Sequence, residues 1–184
     1  MFFYYQLLID LNILFIRELN RYPQDNFDRL WLASHMNPNY PDSVRDVSSQ
    51  EPISTNNIKS LPPAAVMQTA WVMNVVDYGF WKSSDVYWKS LLMLYFADIE
   101  TLNMSETRSF YVKINGKIRS DIITVVPNYS ALELTFLSDK TNNFRFDLYK
   151  ANNSTRGPIL NAFELYLIYD TGRATYSQDG KHPD

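Results

Sequence analysis

Three carboxylates near the middle of the chain have the types and spacing for acid–base chemistry. Asp98 and Glu100 lie two residues apart near the end of a predicted strand, so both side chains face one side, and Glu106 follows after a loop. Two carboxylates about 5 to 9.5 Å apart can hydrolyse a glycosidic bond. The same residues could ligate calcium with nearby carbonyl oxygens, although the sequence has no dense oxygen-ligand loop. We predict ordinary surface charge or pairing with Arg108, and no catalytic or metal site.

An aromatic segment, DYGFWKSSD at residues 77–85, has the composition of a sugar-binding loop. A flat ring can lie against the apolar face of a sugar while neighbouring polar groups bond to its hydroxyls. The alternative is that these rings pack the loop itself. The candidate ligand-binding residues are three aromatic and two acidic side chains: Tyr78, Phe80, Trp81, Asp77 and Asp85.

Four N-x-S/T sequons indicate a secretory route. They begin at Asn103, Asn128, Asn152 and Asn153, all in polar segments predicted to be loops. The last two overlap, so one of them at most would carry a glycan. The predicted glycosylation sites are therefore Asn103, Asn128 and Asn153.

Composition excludes several classes of function. The 184 residues include no cysteine and two histidines, which excludes thiol nucleophiles, zinc–thiolate sites and iron–sulfur ligation. The net charge of -3 gives no long-range attraction to phosphate backbones, so nucleic acid is not a predicted partner, and no cofactor is predicted. The length fits one domain with a core that needs no disulfide.

Hydrophobic alternation predicts an antiparallel β-sandwich, an all-β fold. VYWKSLLMLYFADIE is the longest apolar run and predicts a central strand buried on both faces. SFYVKINGK ends on Asn115-Gly116, the strongest short hairpin signal, and its partner strand lies within KIRSDIITVV. Further strands are predicted in AVMQTAWVM, ALELTFLSD, NFRFDLYKA and ILNAFELYLIYD.

The flanks of this pattern differ from its centre. Residues 1–20 are apolar but lack a basic start and a cleavage site, and are predicted to be a poorly formed signal or an aberrant beginning. The alternative is a buried strand or helix of the domain. Residues 22–63 are rich in Pro, Asn, Asp and Ser, and predict a long loop with little regular structure. Residues 21–171 would then form the sandwich, and 172–184 a polar tail. The sequence predicts no membrane span.

Four stretches resemble the malectin-like domain of plant receptor-like kinases. Their order and spacing match the family pattern over roughly 21–171, although Asp98 stands where Glu is commoner. The stretches are YPQDNFDRLW (22–31), LPPAAVMQTA (61–70), LYFADIETLNMSETRSFYVKINGK (94–117) and GPILNAFELYLI (157–168).

The resemblance implies a galactose-binding-like β-sandwich related to animal malectin, an endoplasmic-reticulum lectin that binds glucosylated N-glycans. It also implies a non-catalytic, extracellular or cell-surface module that recognises a cell-wall carbohydrate or a secreted peptide. The alternative is an interaction lobe that contacts a receptor or co-receptor ectodomain without binding sugar. In plant receptors the region usually has two lobes, and this chain resembles the second, as an isolated or truncated member without repeats, span or kinase.

Several motif residues have expected structural roles. Asp28 and Arg29 are predicted to form an ion pair that fixes their loop, with Trp31 as its apolar plug. Asn161 and Glu164 are predicted to bond to backbone at the last strand rather than to a ligand.

Overall fold

The structure is a computed structural model that describes residues 16–21, 25, 27, 29–34, 44–73, 75–80, 87–126 and 129–168. These residues form thirteen strands and one helical turn, α1 (Ala64–Met67). The strands are β1 (Ile16–Arg21), β2 (Leu30–Ser34), β3 (Val44–Ser48), β4 (Thr69–Met73), β5 (Val75–Phe80), β6 (Lys89–Phe96), β7 (Ser109–Ile114), β8 (Lys117–Ile118), β9 (Ile123–Thr124), β10 (Leu132–Leu137), β11 (Phe144–Lys150), β12 (Ile159–Leu160) and β13 (Ala162–Ile168).

Two antiparallel sheets face each other across the core. One has the strand order β5-β11-β7-β8, with β9 also paired to β7, and the other places β6 between β10 and β13. Ring contacts join the two sheets, at 5.1 Å between Phe96 and Phe110 and at 5.4 Å between Phe146 and Phe163. The order β12-β4-β3 forms a third sheet, and β1 pairs with β2. The predicted all-β sandwich is confirmed.

The alternation of buried and outward-facing residues along the strands fills this core, as predicted. Successive side chains of a strand point to opposite faces, so every second residue of β7 and β11 enters the sandwich. Tyr95 on one face of β6 and Leu94 on the other are both fully buried, which confirms a central strand. The inward residues of β7 and β11 are all buried: Phe110, Val112, Ile114, Phe144, Phe146 and Leu148.

The hairpin predicted at Asn115-Gly116 is also confirmed. Both residues have positive φ, at 49° and 77°, as a two-residue turn that matches strand twist requires. Asparagine and glycine adopt this region at little cost. The returning strand is divided, because β8 pairs with the end of β7 and β9 pairs with its start.

Three predictions about the first half of the chain are wrong in detail. The AVMQTAWVM segment begins as α1 and becomes a strand only at β4, because Pro63 is followed by a turn in which its carbonyl accepts the Val66 and Met67 N–H groups. A short apolar run does not by itself distinguish a helical turn from a strand. The predicted loop 22–63 contains β2 and β3, and β1 crosses the boundary placed after residue 20.

A buried ion pair holds one end of the sandwich. Arg108 is fully buried at the beginning of β7, and its Nε donates to Asp98 Oδ2 at 2.8 Å. Its Nη2 donates to Glu100 at 2.8 Å, and its Nη1 donates to the carbonyl of Gly157. Glu100 in turn accepts from the half-exposed Arg45 of β3 at 2.7 Å. The predicted pairing with Arg108 is confirmed, whereas the expectation of ordinary surface charge is wrong for Asp98, which is fully buried.

A second polar cluster fastens the segment before β2 to the sandwich. Asp25 is buried and accepts from Arg29 Nε at 3.0 Å and from Trp31 Nε1 at 2.7 Å. Arg29 Nη1 reaches Glu164 on β13 at 2.7 Å. The predicted acidic partner, Asp28, lies outside the described residues. The predicted Asp28–Arg29 pair therefore stays a prediction, and Asp25 is the described carboxylate that binds both Arg29 and Trp31.

The two residues predicted to bond to backbone at the last strand behave differently. Asn161 accepts from the Ala97 N–H at 2.6 Å and donates to the Met67 carbonyl at 2.8 Å, which confirms the prediction. Glu164 instead accepts from side chains, namely Arg29, the Tyr95 hydroxyl and the Tyr166 hydroxyl. Burial and the charge of Glu164 raise the pKa of Tyr95, so its hydroxyl stays a donor.

Removing Asp98 should destabilise the fold strongly. Asp98→Ala leaves the buried Arg108 without its fully buried carboxylate partner, and we expect a loss of about 3–5 kcal/mol in the free energy of unfolding. The control Arg45→Ala removes a half-exposed member of the same network and should cost less than about 1 kcal/mol. Urea denaturation of both variants measures the difference. Equal losses would contradict the assigned importance of the buried pair.

The hydrogen bonds to Asp25 should make the stability of the domain depend on pH in the acidic range. Burial opposes ionisation of Asp25, but hydrogen bonds from Arg29 and Trp31 outweigh it, so its pKa lies below the ordinary 3.8. A lowered folded-state pKa contributes stability that is complete above the unfolded-state pKa and is lost as the pH falls through the folded-state pKa. Asp25→Asn should lower the Tm at neutral pH and flatten its decline below about pH 4. Thermal melts across pH, with the exposed Asp46→Asn as control, test this; parallel curves would contradict it.

Candidate functional site

The outward face of the five-stranded sheet carries a group of aromatic and charged side chains. In the antiparallel pairing of β7 with β11, Tyr111 lies opposite Tyr149 and Lys113 lies opposite Asp147. Residues directly opposite each other in an antiparallel pair point to the same face. Since the neighbouring residues of both strands fill the core, these four side chains project away from it.

The two tyrosines and the lysine are mutual neighbours. The rings of Tyr111 and Tyr149 are nearly parallel, at 11°, with their centroids 5.7 Å apart. The Lys113 ammonium lies 3.9 Å from the Tyr149 centroid and 5.7 Å from the Tyr111 centroid. An ammonium at this distance is attracted to the ring face. We call this group, with Arg145 and Asp147, the outer platform.

Arg145 and Asp147 continue the outer platform along β11. Arg145 Nε donates to Asp147 Oδ1 at 2.8 Å, and the Asp147 side chain is almost completely buried beneath it. The register of Asp147 places it on the outward face, but the Arg145 guanidinium covers it. The hairpin turn supports this end, because the Arg145 N–H donates to Asn115 Oδ1 and the Asn115 N–H donates to the Arg145 carbonyl, both at 2.9 Å.

A cavity of about 430 Å³ opens over the outer platform. This volume lies in the usual range for small-molecule sites, roughly 300–1,000 Å³. Gly116 at its rim leaves open space, since an added Cβ would meet no atom within 4 Å. The lining combines aromatic, amide and charged groups: Lys113, Asn115, Gly116, Asn143, Phe144, Arg145, Asp147 and Tyr149.

The predicted binding segment borders this surface. In β5, Asp77 pairs with Asp147 and therefore stands beside the outer platform. Tyr78 pairs with Phe146 and Phe80 pairs with Phe144 in the register of β5 with β11. The side chains of Phe144 and Phe146 are buried in the core. Trp81 and Asp85 lie outside the described residues.

The carboxylates considered for catalysis or calcium are not brought together as an open site. Asp98 and Glu100 both bind Arg108. Glu106 accepts a hydrogen bond from the Asn103 N–H and pairs with Arg156 at 2.8 Å. Both interactions lower the pKa of Glu106, and the hydrogen bond from Asn103 contributes most. Within the described ranges, no cluster of three or more His, Asp or Glu side chains is placed to hold a metal ion.

Two of the predicted glycosylation sites, Asn103 and Asn153, are described, and they lie at the same end of the molecule. Asn103 and Asn153 are exposed. Asn103 accepts from the Glu106 N–H at 2.9 Å, and the Thr107 hydroxyl donates to the Asn153 carbonyl at 3.2 Å, so both sequons flank the same short segment. Asn128 lies outside the described residues.

The outer platform was not predicted from the sequence, because each strand was considered alone. Tyr111 and Lys113 belong to the predicted strand SFYVKINGK, and Tyr149 belongs to the predicted strand NFRFDLYKA. The two tyrosines come together only when these strands pair in the observed register. The local sequence of either strand does not determine the register between strands that are far apart in the chain.

The fold defines an all-β sandwich domain of the kind found in receptor ectodomains. A family model described as the Malectin-like domain matches residues 12–168, and the chain belongs to this family. A putative leucine-rich repeat receptor-like serine/threonine-protein kinase of Arabidopsis thaliana is 33% identical over 155 residues, which cover 79% of this chain. The chain spans 17% of the length of that relative.

Solved structures show the same fold at low sequence identity. The ANXUR1 extracellular domain from Arabidopsis thaliana gives a TM-score of 0.60 at 12% identity, over 80% of this chain and 44% of that one. A crystal structure of the plant peptide RALF23 in complex with FER and LLG2 gives 0.53 at 14% identity, over 70% of this chain and 39% of that one. Among the described residues, no helix has the length and apolar character to cross a membrane.

Proposed function

We propose that this chain is a non-catalytic extracellular recognition module that binds a cell-wall carbohydrate on the outer platform. The observation that carries this proposal is the pair of nearly parallel tyrosine rings beside Lys113, next to a cavity that Lys113 and Tyr149 line together with amide and charged groups. Aromatic faces accept the apolar face of a sugar, and the neighbouring donors and acceptors fix its orientation. The described carboxylate of the outer platform, Asp147, is paired with Arg145, which supports a binding role rather than acid–base chemistry.

The extracellular assignment has separate support. The sequons at Asn103 and Asn153 are exposed, as glycan attachment requires. The solved neighbours include ectodomains of plant receptors. We extend the proposed site to the adjoining segment 77–85, because Asp77 lies in register with Asp147. Asn128 completes the proposed set of glycosylation sites.

A secreted peptide is the second candidate ligand. One solved neighbour is a complex that contains the peptide RALF23, FER and LLG2, which favours peptide and co-receptor binding in domains of this fold. The exposed Ile118 lies in register with Lys113, so the outer platform is bordered by an aliphatic side chain that a peptide could cover. A chain that binds no sugar would then act as an interaction lobe.

Substitution of one platform tyrosine should separate these functions. On an array of plant cell-wall glycans, the secreted chain should bind at least one glycan, and Tyr149→Ala should weaken that binding by roughly tenfold or more. Phe27→Ala is the matched control, since Phe27 is also an exposed aromatic side chain but lies against Arg29, which binds Glu164 of the facing sheet, and it should leave binding unchanged.

Three other results would change the conclusion. Glycan binding that survives Tyr149→Ala would remove the site from the outer platform, and a parallel Trp81→Ala variant would show whether segment 77–85 holds it instead. Binding of a secreted peptide without any glycan would favour the second candidate. Turnover of an oligosaccharide would contradict a non-catalytic role.

A further inference from the structure

One edge of the β10-β6-β13 sheet is an open strand. β10 pairs with β6 from Leu132 to Leu137 in an unbroken antiparallel register, and no strand among the described residues pairs with its other side. Natural proteins protect such edges with Lys, Pro, bulges or very short strands. The six residues of β10 include none of these features. By contrast, the edge strand β3 carries the exposed Arg45 and Asp46, and the edge beside β7 is divided into β8 and β9.

The backbone groups on the open side of β10 follow from its hydrogen bonds. The N–H and C=O of one strand residue point to the same side, and successive residues alternate. The Ser138 N–H, just after β10, donates to the Ser90 carbonyl of β6 at 2.8 Å. The Ala131 N–H, just before β10, donates away from β6 to the Ser54 carbonyl at 2.9 Å. The odd-numbered residues of β10 therefore present N–H and C=O to the open side. They are Glu133, Thr135 and Leu137.

Contacts at both ends define the open length of this edge. At one end Ser54 occupies the edge, since it both donates to the chain before β10 and accepts from it. At the other end Arg119 donates to the Leu137 carbonyl at 3.1 Å, and a carbonyl oxygen has a second lone pair that can accept another bond. The open edge thus covers residues 133–137, and Thr135 is its centre.

This open edge is complementary to itself. When a second copy of β10 pairs with it antiparallel along its full length, Thr135 lies opposite Thr135 of the second copy, and Glu133 lies opposite Leu137. On the core-facing side, Leu134 lies opposite Phe136, and both side chains are only partly buried in the single chain. Apolar cross-strand pairs stabilise a sheet, and no like charges face each other in this register.

Charge favours the same arrangement. Arg119 is exposed and bonds to the Leu137 carbonyl, so it lies where Glu133 of the second copy would stand. A two-fold axis makes this contact twice, and opposite charges that meet across an interface fix its register. Leu137 is 49% exposed, so the pairing would also cover an apolar side chain that water contacts in the single chain.

We propose that two copies of this chain pair through β10 about a two-fold axis at Thr135, which joins their β10-β6-β13 sheets into one continuous sheet. A two-fold contact uses the same open edge of both copies, so this pairing ends at a dimer. The interface lies at the edge of one sheet, whereas the outer platform lies on the facing sheet. Its failure would leave the proposed carbohydrate site untouched.

Charge substitution at Thr135 tests this arrangement. In sedimentation equilibrium across roughly 1 µM to 1 mM, the secreted chain should form a concentration-dependent dimer of twice the mass of a single copy. Thr135→Lys and Thr135→Glu should each weaken this dimer by roughly tenfold, because two like charges then face each other at the axis. An equimolar mixture of the two variants should form the dimer again, because Lys then lies opposite Glu.

Two further variants are the controls. Thr101→Lys makes the same substitution at an exposed threonine outside the strands, and Tyr149→Ala alters the outer platform; both should leave the dimer unchanged. Thr135 is itself exposed, so circular dichroism should show its variants folded. The proposal is overturned if the chain stays a single copy across this range, if the dimer persists in both Thr135 variants, if mixing them does not restore it, or if Thr101→Lys weakens it equally.

Discussion

The buried Arg108 is the group on which the arrangement of the sheets depends. It directly precedes β7 of one sheet, binds Asp98 just after β6 of the facing sheet, and binds the Gly157 carbonyl before β12 of the third. Glu100 extends the same network to Arg45 of β3. A buried guanidinium must satisfy its donors in fixed directions, whereas apolar packing tolerates sliding. The network therefore sets how the three sheets meet, at a desolvation cost that makes each partner necessary.

Fixing the sheets at their ends leaves their outward faces available for other chemistry. The five-stranded sheet fills the core with alternate residues of β7 and β11, and the intervening positions place Tyr111 beside Tyr149 without affecting the packing. The facing sheet uses its outward positions differently, since Tyr95 and Glu164 there receive the segment that carries Arg29. One face is thus open to a ligand and the other is partly covered by the chain itself.

Local signals allowed most of the fold to be predicted, and contacts between distant segments explain what was missed. The hairpin at Asn115-Gly116 and the buried alternation of β11 follow from residues a few positions apart, so the sequence alone predicted them. The beginning of α1 depends on a turn after Pro63 that buries the same apolar residues a strand would bury. Asp25 lies four residues before Arg29 and was not recognised as its partner, because only the adjacent Asp28 had been considered. The outer platform required the register of β7 with β11, and both strands had been analysed apart.

The outer platform and the face covered by the Arg29 segment lie on opposite sides of one sandwich, and this placement bears on how the domain would work. The core residues between the two sheets are buried, and close packing of this kind resists gradual deformation. Coupling between the two faces would require an element with two arrangements that both faces bias. A ligand on Tyr111 and Tyr149 would therefore meet a preformed surface, and its binding would not depend on a change in the packing of the sheets.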